Sequence, residues 1–216
     1  MKTDLELKND VVEELRWEPS VTSENISVVA HNGVVTLSGT VPYYAEKWSA
    51  ERAARRVHGV KAIAEELDVR RFEYHNHKDA EIATAVVSSL KWHVWVPDAV
   101  QATVEKGHVT LTGSVKWEFE RNSAEDAVQF LAGVTGVSNK IAIQPGVEPK
   151  AVSAAIEKAL KRDAGIDAAN IKVSSSGGKV TLSGSIPSWQ ERQGAAWAAW
   201  SAPGVTEVQN DLAVID

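Results

Sequence analysis

Three stretches of this 216-residue chain repeat one another in register, and that recurrence restricts the fold more than any other feature. They read Gly33-Val-Val-Thr-Leu-Ser-Gly39-Thr-Val41, Gly107-His-Val-Thr-Leu-Thr-Gly113-Ser-Val115 and Gly178-Lys-Val-Thr-Leu-Ser-Gly184-Ser-Ile186. The second glycines lie 74 and 71 residues apart. A fixed period of this kind marks a chain built from copies of one supersecondary unit. The flanks repeat too. Each motif is followed by a Gly-Val pair (Gly59-Val60, Gly133-Val134, Gly204-Val205) and then by apolar residues at matching offsets: Ile63, Leu67 and Val69; Val137, Ile141 and Ile143; Val208, Leu212 and Val214.

Each copy opens with apolar residues four apart: Leu7, Val11 and Leu15; Ile82, Val86 and Leu90; Val152, Ile156 and Leu160. That spacing is one face of an amphipathic helix. A short alternating stretch follows, around Ile26 and Val28, Val100 and Ala102, Ile171 and Val173, and reads as a strand. His31-Asn32-Gly33 and Ser176-Gly177-Gly178 are hairpin turn chemistry, because glycine supplies positive φ.

The motif then alternates with period two. Val35, Leu37, Gly39 and Val41 face the core, whereas Thr36, Ser38 and Thr40 face away. The core-side glycine is expected to let a helix approach the sheet closely. Small apolar residues with helical spacing come next: Ala50, Ala53, Ala54 and Val57; Ala124, Ala127, Val128 and Leu131; Ala195, Ala198, Ala199 and Ala202. These predict a second helix, stopped by the Gly-Val pair, and a closing strand. The expected class is α+β: three tandem α-β-β-α-β domains, each with two helices on one face of a three-stranded mixed sheet. The expected boundaries are 1–73, 76–146 and 148–216.

Composition narrows the chemistry. There is no cysteine, so disulfides, thiolate nucleophiles and Cys-based metal sites are excluded. Lys and Arg number 23 against 29 Asp and Glu, a net charge of −6, and no third of the chain is basic. Nucleic-acid binding, which needs a basic face, is not expected. No run of about 18 apolar residues is present, so no transmembrane segment is expected. The N-terminus lacks the basic start and apolar core of a secretory signal. The expected placement is therefore cytoplasmic, or periplasmic if a leader has been removed.

Catalytic patterns are missing: no nucleophile elbow, no phosphate loop and no His-Glu-x-x-His helix. His75 and His77 could share a metal, but two histidines in a polar linker are the plainer reading, and no metal or other cofactor is expected. The residues that do recur stand at the entrance to the second helix. An aromatic precedes or joins a carboxylate and a cation in each copy: Tyr43, Tyr44, Glu46, Lys47 and Trp48; Trp117, Phe119, Glu120 and Arg121; Trp189, Glu191 and Arg192. Aromatics beside cations suit a lipid headgroup layer, and they equally suit a staple that closes the end of a core. The carboxylates suit a helix N-terminus through its dipole, or a cation bound by hard oxygen ligands. Eight Trp against three Phe tilts the aromatics towards interfaces, between repeats or with a partner.

The pattern Asn-Gly-Val-Val-Thr-Leu-Ser-Gly-Thr-Val, an alanine-bearing helix with Glu at its start, Gly-Val and a last alternating strand resembles the BON domain, the bacterial osmotic-shock and nodulation or transport-associated domain. The resemblance covers essentially the whole chain as three copies. It implies a non-enzymatic, stress-associated binding protein that docks on phospholipid surfaces or envelope proteins. Its alternatives are a potassium-binding sensor, with Glu46, Glu120 and Glu191 as candidate ligands, and a multivalent interaction scaffold. The resemblance also implies an Asn in the last strand. Asn139 and Asn210 fit, but Glu65 takes that place in the first copy. Trp17 and Trp92 follow the first helix in two copies, whereas the third has Arg162.

Overall fold

The computed structural model describes residues 2–70, 77–146, 152–163, 166 and 168–215. His75 lies outside them. The described residues form six α-helices and eleven strands. The first repeat runs α1 (Asp4–Trp17), β1 (Ile26–His31), β2 (Val34–Val41), α2 (Tyr44–Arg56) and β3 (Ala62–Val69). The third runs α5 (Val152–Arg162), β9 (Ile171–Ser176), β10 (Lys179–Ile186), α6 (Trp189–Trp200) and β11 (Glu207–Val214). In the second, α3 (Asp79–Trp92) and β4 (Gln101–Glu105) are followed by a middle strand in two pieces, β5 (His108–Thr112) and β6 (Ser114–Val115). Helix α4 (Glu118–Gln129) comes next, and then a last strand also in two pieces, β7 (Gly136–Asn139) and β8 (Ala142–Ile143).

The α-β-β-α-β order and the mixed sheet are thus as the periodicities predict. In the first repeat β2 lies in the middle, antiparallel to β1 and parallel to β3. The third sheet repeats this around β10. Antiparallel neighbours need only the Asn32-Gly33 turn, whereas the parallel pair needs a crossover, which α2 supplies. Contacts divide the chain into two compact units, Met1–Gly113 with Asn122–Lys140, and Ser114–Arg121 with Ile141–Asp216. The division runs through the second repeat.

The core of the first repeat gathers Leu7, Val11 and Leu15 from α1, Ala50, Ala53 and Ala54 from α2, and Val28, Val35, Leu37, Val41 and Leu67 from the sheet. Both helices share this core, so both cover one face of the sheet. The third repeat does the same with Val152, Ile156, Leu160, Ala195 and Ala199 over Val180, Leu182, Ile186 and Leu212. Small side chains on the second helix let its backbone approach the strands, while the leucines of the first helix fill the remaining volume.

The motif glycines have a different reason from the expected one. Gly39, Gly113 and Gly184 have φ of +131°, +120° and +128°. A Cβ there would collide with the carbonyl oxygen of Asn25, Ala99 or Asn170. The close neighbour is the backbone entering the first strand, not a helix. Nor does the Gly-Val glycine cap α2 directly. It sits in a separate turn that follows the helix, in which Val60 N–H donates to Val57 O at 3.3 Å, and Val134 and Val205 repeat the bond. Lys61, Thr135 and Thr206 then donate to the carbonyls of Gly33, Gly107 and Gly178. The two glycine signatures of each repeat are thereby hydrogen-bonded to one another's turns.

Candidate functional site

Helix α2 starts at Tyr44, and the Tyr43 carbonyl accepts from Glu46 N–H and Lys47 N–H. Tyr43 itself is 46% exposed. The Glu46 carboxylate accepts from Thr22 N–H at 2.8 Å, tying the helix to the loop that follows α1. Lys47 Nζ turns inward. It lies 2.8 Å from the Leu67 carbonyl and 2.8 Å from Glu65 Oε2 on β3. Trp48 stacks with Arg52, whose guanidinium is 5.1 Å from the ring centre, and meets Phe130 edge-on at 5.6 Å. Tyr44 is half-buried, and its phenol is pushed above its ordinary pKa first by burial and then by the Glu125 carboxylate; a hydrogen bond with the Val137 backbone works in the opposite direction. Trp48 and Tyr44 therefore face residues of the second repeat.

The second entrance is held mainly by its own carboxylates. Glu120 accepts from Lys116 N–H at 2.8 Å and Trp117 N–H at 3.0 Å, which satisfies donors at the helix start. Arg121 pairs with Glu118 at 2.7 Å and lies over the Trp200 ring at 5.5 Å. Phe119 is 37% exposed. At the third entrance Ser188 Oγ accepts from Glu191 N–H. Arg192 stacks on Trp189 at 5.0 Å and donates to the carbonyls of Leu212 and Asn210 on β11.

This geometry explains Glu65. In the third repeat the Asn210 amide donates to Arg192 O, and its oxygen accepts from Leu212 N–H. In the first repeat Glu65 accepts from Leu67 N–H at 2.6 Å and pairs with Lys47. One side chain has two tasks, to hold the strand's own amide and to hold the second helix. Asn with Arg and Glu with Lys are two solutions to them. Asn139 donates to Glu125.

The candidate cations at the helix-two entrances are thus held by partners within the protein. Among the described residues, the most exposed apolar side chains stand at the tips of the first helices. Trp17 and Trp92 are 84% and 86% exposed, and beyond Trp92 stand Val94 at 84% and Trp95 at 57%. Arg16 and Lys91, the residues before the two tryptophans, are exposed and make no ion pair among the described residues. The signal was in the sequence. Each Trp lies two residues past the last member of the apolar stripe, Leu15 or Leu90, and two residues turn a helix by about 200°, onto the face away from the core.

Two of the described histidines meet single protein partners. His31 faces Asp4 at 3.3 Å and His108 meets Ser138 Oγ at 2.8 Å. Among the described residues no group of three or more His, Asp or Glu is placed to hold a metal. Nor is any helix among them long and apolar enough to cross a membrane.

The BON domain family profile matches residues 3–71, 78–145 and 150–216. Among curated proteins, the chain is 31% identical over 127 residues to osmotically-inducible protein Y of Escherichia coli (strain K12), a match spanning 56% of this chain and 63% of that protein. Among solved structures it is similar to CdsD, a structural protein of the type III secretion system of Chlamydia trachomatis. That match has 16% identity and a TM-score of 0.27, and covers 96% of this chain and 91% of the other. It is also similar to the PrgH periplasmic domain, at 12% identity and a TM-score of 0.22, covering 89% and 96%. Both scores are too low to bear on the fold.

Proposed function

The chain belongs to the BON domain family, and from that premise we propose that it is a stress-associated binding protein that docks on phospholipid surfaces through three small modules spanning 1–73, 76–146 and 148–216. The observation that carries the reading is the exposure of Trp17 and Trp92. Each is an indole at the end of a first helix, beside an exposed Arg16 or Lys91. An indole with a neighbouring cation suits the layer between acyl chains and headgroups, where the ring is dehydrated and the charge stays wet. Two indoles burying roughly 150 Å² each give on the order of 7 kcal/mol before the costs of orientation. The similarity to an osmotically inducible protein supports the stress association. Tyr43 and Phe119, half-exposed at the second-helix entrances, are proposed as secondary contacts, whereas Lys47 and Arg192 position the fold.

Vesicle co-sedimentation tests this. The chain is expected to pellet with phospholipid vesicles, and the doubly substituted Trp17→Ala, Trp92→Ala chain to lose most of that binding while keeping its circular dichroism. Absence of binding by the unsubstituted chain to both anionic and zwitterionic vesicles, at low and high salt, would overturn the proposal.

A further inference from the structure

The first and third repeats carry the same groove, between the last turns of the first helix and the start of the first strand. In the first repeat it is about 220 Å³, floored by Val12, Leu15, Ile26 and Val28 and edged by Arg16 and Glu24. In the third it is about 300 Å³, floored by Leu160, Ala168 and Ile171 and edged by Lys161 and Glu157. Leu15 with Ile26 and Leu160 with Ile171 are repeat equivalents, as are Arg16 and Lys161. The two acidic edges arise differently, Glu24 from the turn before β1 and Glu157 from α5 itself. The same combination of one cation, one carboxylate and an apolar floor is therefore reached by two routes. All four charged side chains are exposed, and none makes an ion pair among the described residues.

We infer that these two grooves each take the headgroup of a zwitterionic phospholipid, its phosphate at Arg16 or Lys161, its ammonium at Glu24 or Glu157, and its first methylenes on the apolar floor. The inference rests on the phospholipid reading above and adds the ligand's charge class and its seat. Charge complementarity selects the occupant. A purely anionic headgroup would be repelled by the carboxylate and a purely cationic one by the cation, whereas a phosphate–ammonium headgroup satisfies both. Size sets the extent. Sites that enclose a drug-sized ligand run about 300–1,000 Å³, so grooves at or below the lower end hold a headgroup and not a whole diacyl lipid.

The test is a methyl NMR titration of the full chain with dihexanoyl phosphatidylethanolamine kept below its micelle concentration. Parallel titrations use dihexanoyl phosphatidylglycerol, inorganic phosphate and ethanolamine. The zwitterionic lipid should produce saturable shifts at Leu15 and Ile26 and at Leu160 and Ile171. Arg16→Ala should weaken only the first set and Lys161→Ala only the second, each by up to about fivefold, the range expected of an exposed ion pair. Glu24→Gln with Glu157→Gln should remove the preference over phosphatidylglycerol. Equal affinity for phosphatidylglycerol in the unsubstituted chain, or the same shifts from phosphate alone, would overturn the zwitterion assignment. Silent groove methyls in a chain that still pellets with vesicles would overturn the groove and leave membrane docking standing. Silent methyls together with no pelleting would remove both.

Discussion

Lys47 reaches from the first turn of α2 to Glu65 on β3, with Nζ 2.8 Å from Oε2, and the same ammonium donates to the Leu67 carbonyl. The pair is only about a quarter exposed on either side. It fastens the start of the crossover helix to the strand that the helix leads into. Arg192 and Asn210 do this in the third repeat by a different set of bonds.

Removing one partner should therefore loosen a defined joint. Lys47→Ala is expected to cost about 1–2 kcal/mol, as for a charge-assisted bond that is partly solvated. The double substitution Lys47→Arg, Glu65→Asn should recover most of that by rebuilding the third repeat's arrangement. Urea unfolding measures the cost, and hydrogen exchange at the Leu67 amide, which Glu65 holds, localises it. Equal exchange in all variants would count against the joint.

The motif glycines should tolerate no side chain. Gly39→Ala and Gly184→Ala each force a residue to a φ near +130° and drive a Cβ into a backbone carbonyl. Each is expected to cost roughly 2–4 kcal/mol. Gly177→Ala is a control, because nothing lies within 4 Å of its added Cβ. Its φ of +57° lies in the left-handed region, so a smaller loss is expected there. Thermal melts should place Gly177→Ala above both Gly39→Ala and Gly184→Ala.

Repeats one and two should be coupled through Trp48. Its edge-on contact with Phe130 predicts an interaction energy of about 0.5–1 kcal/mol in a Trp48→Ala, Phe130→Ala double-mutant cycle, low in the range because Phe130 is half exposed. Tyr44 provides a second readout of the same contact. Its phenol is held neutral above the usual range, so its contribution is complete below the unfolded value near 10 and is lost as pH rises through the higher folded value. Absorbance titration should show Tyr44 ionising above the ordinary tyrosine value, and Tyr44→Phe should remove that part of alkaline unfolding.

Acid should act at the end of α1. Arg56 bridges Glu14 and Glu18, both at 2.9 Å. Its hydrogen bond, followed by that of Ser20, lowers the pKa of Glu18 below the ordinary value of 4.5. A lowered carboxyl stabilises the fold above its unfolded pKa and ceases to do so as pH falls through the folded one. Stability should decline on acidification below about pH 4.5, and Glu18→Gln should flatten that decline. A carboxyl NMR titration placing Glu18 at or above 4.5 would contradict this.

The α-β-β-α-β order, the two faces of each strand and the helix stripes were all legible in the sequence. Leu7, Val11 and Leu15 are buried as their spacing requires, and Val35, Leu37 and Val41 likewise. Periodicity is a local property, fixed by backbone geometry within a few residues, so a sequence carries it openly. Exposure at Trp17 and Trp92 was legible for the same reason, once each is placed on its helix relative to the stripe.

Where the repeated cations go was not legible. Lys47, Arg121 and Arg192 occupy one position of the repeat, yet Lys47 finds Glu65, Arg121 finds Glu118 and Trp200, and Arg192 finds the backbone of β11. A long cationic side chain takes the partner that the fold brings within reach, and several of those partners lie far away along the chain. The motif glycines show the same division. The sequence required glycine there three times, and only the tertiary structure decided that a strand's incoming carbonyl, not a helix, fills the space. Spacing along the chain determined the elements and their buried faces. Proximity in three dimensions, which no local pattern encodes, decided which charges and rings are held inside the protein and which stand open to a ligand.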